Sequence, residues 1–165
     1  MNSELLKRTL TSLILLFILV FSTYYSGIYF IIFLISIYIV SFYEVFKNTK
    51  SLLINITSNI VLISALFSFF ILRGDTNYSL LITYWILFTT FLSDIGGYFF
   101  GKIFKGKKLT KISPNKTYSG SVGSIFLSSS SLIFIDLVQK FFFNLNLINF
   151  FQIKYLLITI LISIV

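Results

Sequence analysis

The residues able to do chemistry in this chain lie between Ser93 and Gly123. Asp94 sits inside an otherwise apolar run, seven residues before Gly101, which on a helix places it about 10 Å from that end of the segment. A carboxylate at such depth costs at least a few kcal/mol unless it faces a wet cavity, a cation or a metal. The competing reading is that the apolar span ends at Leu92 and Asp94 flanks it in the headgroup layer. After Gly101 come six lysines in fifteen residues, Lys102 to Lys116, with no acid among them. This loop contains Lys111, Ser113, the single proline Pro114, Lys116 and Thr117, and leads into Ser119-Gly120 at the start of another apolar segment. Hydroxyls, an ammonium and the amides of a helix N-terminus suit a phosphate or pyrophosphate. An acid facing such a loop suits magnesium held between carboxylate and substrate phosphates, the usual arrangement for phosphoryl or nucleotidyl transfer.

Other chemistries are excluded by what the chain lacks. It has no Cys and no His, which removes thiolate nucleophiles, disulfides, imidazole bases and the commonest zinc sites. Its five acids are Glu4, Glu44, Asp75, Asp94 and Asp136, and Asp94 is the one inside the candidate region. The glycine spacing is not that of a Walker loop. Gly97 and Gly101 form a G-x-x-x-G stripe; this permits close helix packing and also leaves room beside Asp94 for a phosphate or metal ion. The basic loop has a simpler alternative role as a lysine-rich segment drawn to anionic lipid, at about 1 kcal/mol per charge.

The elements that must position these residues are membrane helices. With 57% hydrophobic and only 11% charged residues, the 165-residue chain cannot cover the surface of a soluble globule. At roughly 20 residues per crossing, the spans read as Thr9–Tyr25, Gly27–Phe42, Leu52–Leu72, Tyr78–Phe100, Ser119–Val138 and Asn149–Val165. The first two could be one long run, but separating them puts ten of the 13 basic residues on one side of the membrane, against eight of 13 otherwise. The positive-inside rule therefore favours two spans, a cytoplasmic N-terminus acting as signal anchor, and a cytoplasmic basic loop over 101–118. The expectation is a single all-α transmembrane domain over 1–165, a bundle of about six helices. Ser128–Ser131 read as helix-packing residues and Glu44 as an acid at a helix end. One Ala and 11 Lys against two Arg indicate an AT-rich codon bias, so the abundance of Phe carries little functional weight. The apolar stretch from Tyr155 to Val165 without a polar flank suggests a reading frame that ends early.

The run Ser93-Asp94-Ile95-Gly96-Gly97-Tyr98-Phe99-Phe100-Gly101-Lys102, the basic loop, and Ile112-Ser113-Pro114-Asn115-Lys116-Thr117-Tyr118-Ser119-Gly120 resemble the central region of bacterial phosphatidate cytidylyltransferases, or CDP-diacylglycerol synthases. That family's pattern is roughly D-x-G-A-Y-x-x-G-[RK], a short basic loop, then [IV]-S-P-x-K-T-[WY]-E-G. The Tyr43-Glu44 pair closing the second span is similar as well.

The resemblance implies magnesium-dependent transfer of a cytidylyl group from CTP to phosphatidate, giving CDP-diacylglycerol and pyrophosphate. It implies Asp94 and Lys116 as catalytic residues, with Asp94 near the metal. Ser113, Thr117, Lys102 and Lys111 are then expected to bind substrate, and Gly97, Gly101 and Gly120 to allow its close approach. The partners expected are CTP, phosphatidate and membrane lipids, with no nucleic acid, and pairing into a homodimer is compatible with this reading. Two departures stand out. Ser119 replaces the family's glutamate, and the chain stops before the family's C-terminal His-Gly-Gly-x-x-Asp-Arg-x-Asp signature, so it matches the N-terminal and central parts only. Related alternatives are a membrane lipid or polyprenol kinase, or a non-catalytic protein whose loop binds anionic lipid.

Overall fold

The structure is a computed structural model that describes residues 3–109, 116–143 and 148–164, without the side chains of 3–6, 8 and 9. Among the described residues it is all helical: α1 (Ser3–Tyr25), α2 (Gly27–Asn48), α3 (Leu52–Arg73), α4 (Asn77–Phe104), α5 (Tyr118–Phe143) and α6 (Ile153–Ile164). The six expected segments are all present, and the break between the first two falls at Ser26. Helices α2 to α5 are long and apolar enough to cross a membrane. The apolar part of α1, Leu10–Tyr25, and α6 are shorter than that ruler requires. At 1.5 Å per residue, the 12 residues of α6 extend only about 18 Å. α6 starts later than expected because residues 150–152 form a turn.

The chain divides into two compact units, Met1–Leu80 and Leu81–Val165. In the first, Ser26 and Gly27 both adopt left-handed backbone (φ 55°), which reverses the chain between α1 and α2. Arg73, buried at the end of α3, donates from Nε to the carbonyl of Thr23, from Nη1 to that of Gly74 (2.9 Å) and from Nη2 to that of Tyr24 (3.3 Å). One guanidinium thus satisfies carbonyls at the C-terminal ends of both α1 and α3, groups that the helices themselves leave without partners. Ser26 Oγ donates to Asp75 Oδ1 at 3.2 Å, tying the two turns together. Glu44 is exposed near the end of α2, as the sequence suggests for an acid at a helix end.

The second unit packs α4, α5 and α6 around Leu81, Trp85, Leu132, Ile135, Ile148, Phe150 and Tyr155. Beside this apolar cluster the helices touch through small hydroxylated residues. Thr89, Ser128, Ser131 and Thr159 are all fully buried, and Thr89 Oγ1 meets Ser131 Oγ at 2.8 Å between α4 and α5. Ser128 and Ser131 are therefore packing residues, as their place in an apolar span predicts. Toward the far end of α5, buried Gln139 donates to Asp136 Oδ1 (2.9 Å) and to the carbonyl of Ile148 (2.7 Å), and accepts from the Ile148 N–H (3.2 Å). Lys140 completes the cluster with an ion pair to Asp136 at 2.6 Å. These bonds hold the segment that leads into α6.

Candidate active site

Helices α4 and α5 cross where neither carries a side chain. A Cβ on Gly96 would collide with the carbonyl of Gly123, and one on Gly120 would stand 2.8 Å from the carbonyl of Gly97. Gly101 faces Thr117, whose Oγ1 would lie 3.1 Å from an added Cβ. The expected G-x-x-x-G stripe is a packing surface, and its tightest contact is made by Gly96, one residue outside it. This close crossing sets the spacing between Asp94 on α4 and the start of α5.

Beside the crossing lies a cavity of about 310 Å³. Its walls are Ser93, Asp94, Gly97 and Tyr98 from α4, Leu109 and Lys116 from the loop ends, Thr117 at the junction with α5, Gly120, Ser121 and Ser124 from α5, and Ser163 and Ile164 from α6. The structure thus brings together Asp94, Gly97, Lys116, Thr117 and Gly120 from the residues singled out by sequence. Gly101 lies beside them at the helix crossing. Lys102 stands one turn beyond Tyr98 and donates to its hydroxyl at 3.3 Å. Ser113 and Lys111, with the proline between Ser113 and Asn115, lie outside the described residues.

Helix α4 continues to Phe104, so Asp94 is ten residues, roughly 15 Å along the axis, from its C-terminal end. The carboxylate is exposed to the cavity and makes no hydrogen bond or ion pair with a described residue. Ser93, next to it, is buried and donates to the carbonyl of Ser163 at 3.5 Å, which brings the end of α6 to the cavity wall.

The loop ends are fastened to each other. Leu109 N–H donates to the carbonyl of Lys116 (2.8 Å), and Tyr118 N–H to that of Lys107 (3.0 Å). Gly106 N–H donates to Ser119 Oγ at 3.2 Å, and Ser119 Oγ meets Thr117 Oγ1 at 3.1 Å. Ser119, at the position where an acid was expected, is therefore a fastening for the loop. Thr117 caps α5 by accepting from Gly120 N–H at 3.1 Å. Two of the first three amides of α5 and the hydroxyls of Thr117, Ser119 and Ser121 are consequently engaged within the protein, leaving Lys116 as the main anion-facing group at this helix start.

Among the described residues, no group of three acids, histidines or cysteines could hold a metal ion unaided. Asp94 alone fits one edge of a magnesium ion whose remaining ligands are water and substrate phosphates, the way this ion is commonly held. The donor set suits a metal that arrives with phosphates and would not cage one without them.

Sequence reasoning missed Ser93, Ser121, Ser124, Ser163 and Ile164. Nothing local marks them, since each belongs to an apolar helix and reaches the cavity only through tertiary packing. No curated protein and no solved structure matches the chain. The profile of the cytidylyltransferase family matches residues 50–165, well over half the chain and the whole of the cavity-forming part. The chain belongs to the cytidylyltransferase family, and its chemistry is a transfer reaction that uses a CTP-type nucleotide.

Proposed function

We propose that the chain transfers a cytidylyl group from CTP to phosphatidate at the cavity beside Asp94, forming CDP-diacylglycerol and pyrophosphate in phospholipid biosynthesis. The observation that carries this reading is a cavity between two membrane-length helices, α4 and α5, closed on one side by the end of the shorter α6, with a carboxylate from α4 and with Lys116 and Thr117 at the start of α5. A lipid acceptor can leave its acyl chains in the bilayer while its phosphate reaches such a cavity. The α4 C-terminal end and the basic loop then face the cytoplasm of a bacterial cell, where the nucleotide is found.

In the reaction a phosphate oxygen of phosphatidate forms a bond to the α-phosphorus of CTP. The bond from that phosphorus to the bridging oxygen breaks, and pyrophosphate leaves with the electron pair. Magnesium, when bound, neutralises charge on the phosphates, and Asp94 is the residue that would hold it. Lys116 contributes positive charge on the cavity wall, with the Thr117 hydroxyl beside it. Ser113, Lys111 and Lys102 extend the phosphate-binding surface in this reading, while Gly97, Gly101 and Gly120 keep side chains out of its path. Positioning and charge stabilisation carry this type of transfer, so it needs no histidine.

The test is an assay in vesicles containing phosphatidate, magnesium and CTP labelled at the α-phosphate. Labelled CDP-diacylglycerol supports the proposal. Label transfer to no lipid, or phosphorylation of a lipid alcohol from CTP labelled at the γ-phosphate, contradicts it.

A further inference from the structure

We propose that the ring of Tyr98 is the platform on which the base of the nucleotide stacks. Tyr98 lines the cavity yet is 70% exposed, and it is the one aromatic residue among those described on the cavity wall. It lies one helical turn from Asp94 on the same side of α4, and neighbouring Gly97 adds no side chain to cover it. Lys102, a further turn along, holds its ammonium 3.3 Å from the Tyr98 hydroxyl and 5.5 Å from the ring centre. The cation therefore sits nearer the hydroxyl than the centre of the ring, fixing the phenol while leaving ring surface open. An open, oriented ring beside phosphate-binding groups is what base stacking requires, and every base has a π-face to offer. The cavity volume of about 310 Å³ falls at the lower end of small-molecule sites, roughly 300–1,000 Å³.

A tyrosine near the end of a membrane helix can also serve as an interfacial anchor. An anchor would support the helix without regard to the base of the ligand. A platform would contribute to binding a nucleotide and nothing to binding the phosphate chain alone.

The platform rests on the CTP-using reading of the site, and the experiment separates the two. Calorimetric titration of the purified chain in lipid nanodiscs with CTP, and separately with inorganic tripolyphosphate, compares the unaltered protein with Tyr98→Phe and Tyr98→Leu. The Phe variant is expected to keep its CTP affinity within about threefold, while the Leu variant loses roughly tenfold or more, as loss of one stacked base implies. Tripolyphosphate should bind all three proteins alike. CTP binding by Tyr98→Leu as tight as by the unaltered chain overturns the platform, as does an equal loss for both ligands. Absence of CTP binding by the unaltered chain overturns the nucleotide reading, and the platform with it. If Tyr98→Leu does not fold, Tyr98→Gln takes its place in the same comparison, with the same outcomes deciding.

Discussion

Gly97 lies so close to Ser124 that a methyl group on its α-carbon would stand 2.8 Å from Ser124 Oγ. Ser124 donates its hydroxyl to the carbonyl of Gly120 at 3.2 Å, so its side chain is held in place on the opposing helix. The two residues belong both to the α4–α5 crossing and to the cavity wall.

Bulk added at the crossing should force the helices apart. Gly96→Ala meets the backbone of Gly123, which cannot rotate away, and is expected to cost about 1–3 kcal/mol, the range for overpacking. Thermal unfolding in detergent followed by circular dichroism should show a midpoint several degrees lower. Gly27→Ala has open space around the added methyl and carries only the backbone penalty of its φ of 55°, about 1–2 kcal/mol. It should leave nucleotide binding unchanged, whereas Gly96→Ala should weaken it.

Ser119 fastens the basic loop through the Gly106 amide. Ser119→Ala removes that bond, at a net cost of about 1 kcal/mol, equivalent to roughly a fivefold rise in local opening. Limited trypsin digestion should then cut faster at Lys105, Lys107 or Lys108 by about that factor. Unchanged cleavage would mean that the other loop bonds suffice to hold the segment.

Gln139 is 1% exposed and makes three hydrogen bonds. Gln139→Leu leaves the Ile148 amide and carbonyl without these partners inside the core, and should cost about 2–4 kcal/mol. The residue lies roughly 28 Å along α5 from Gly120, calculated from the helical rise. Its bonds nevertheless set the return of α6, whose end lines the cavity, so transfer activity per folded molecule should fall modestly, by far less than for Asp94→Asn.

Lys116 is exposed at the cavity wall, and its backbone carbonyl is fixed by Leu109. Lys116→Ala leaves that backbone bond available and removes only the side-chain charge. The KM for CTP should rise about tenfold, in line with loss of a charge-assisted contact. Raising the salt concentration should narrow the difference between the two proteins, because ions screen exposed charges.

Hydropathy was enough to reveal most of the helices, because most of the apolar runs are bounded by polar or charged residues. Charge placement separated α1 from α2, and the left-handed pair Ser26-Gly27 is the physical cause of that break. Asp94, Lys116 and Thr117 were legible because a carboxylate in an apolar run and hydroxyls beside a lysine are unusual locally. The Gly96–Gly123 contact was not legible, since several glycines compete for the crossing and only the helices' mutual rotation selects among them. Ser163 and Ile164 were hidden for a similar reason: they reach the cavity because Gln139 and the core around Trp85 return α6 to α4 and α5. The role of Ser119 was hidden too, because its partner Gly106 lies 13 residues away across the loop.

Whether the cytidylyl group is transferred in the Asp94 cavity is decided by the initial rate of CDP-diacylglycerol formation. The comparison is between the unaltered chain and Asp94→Asn in the same phosphatidate vesicles, with magnesium and α-labelled CTP. The unaltered chain should form product, and Asp94→Asn should do so at a rate at least about 100-fold lower, the scale expected when a charge-stabilising group at a reaction centre is lost. Equal rates from two proteins that are equally folded would contradict transfer in this cavity.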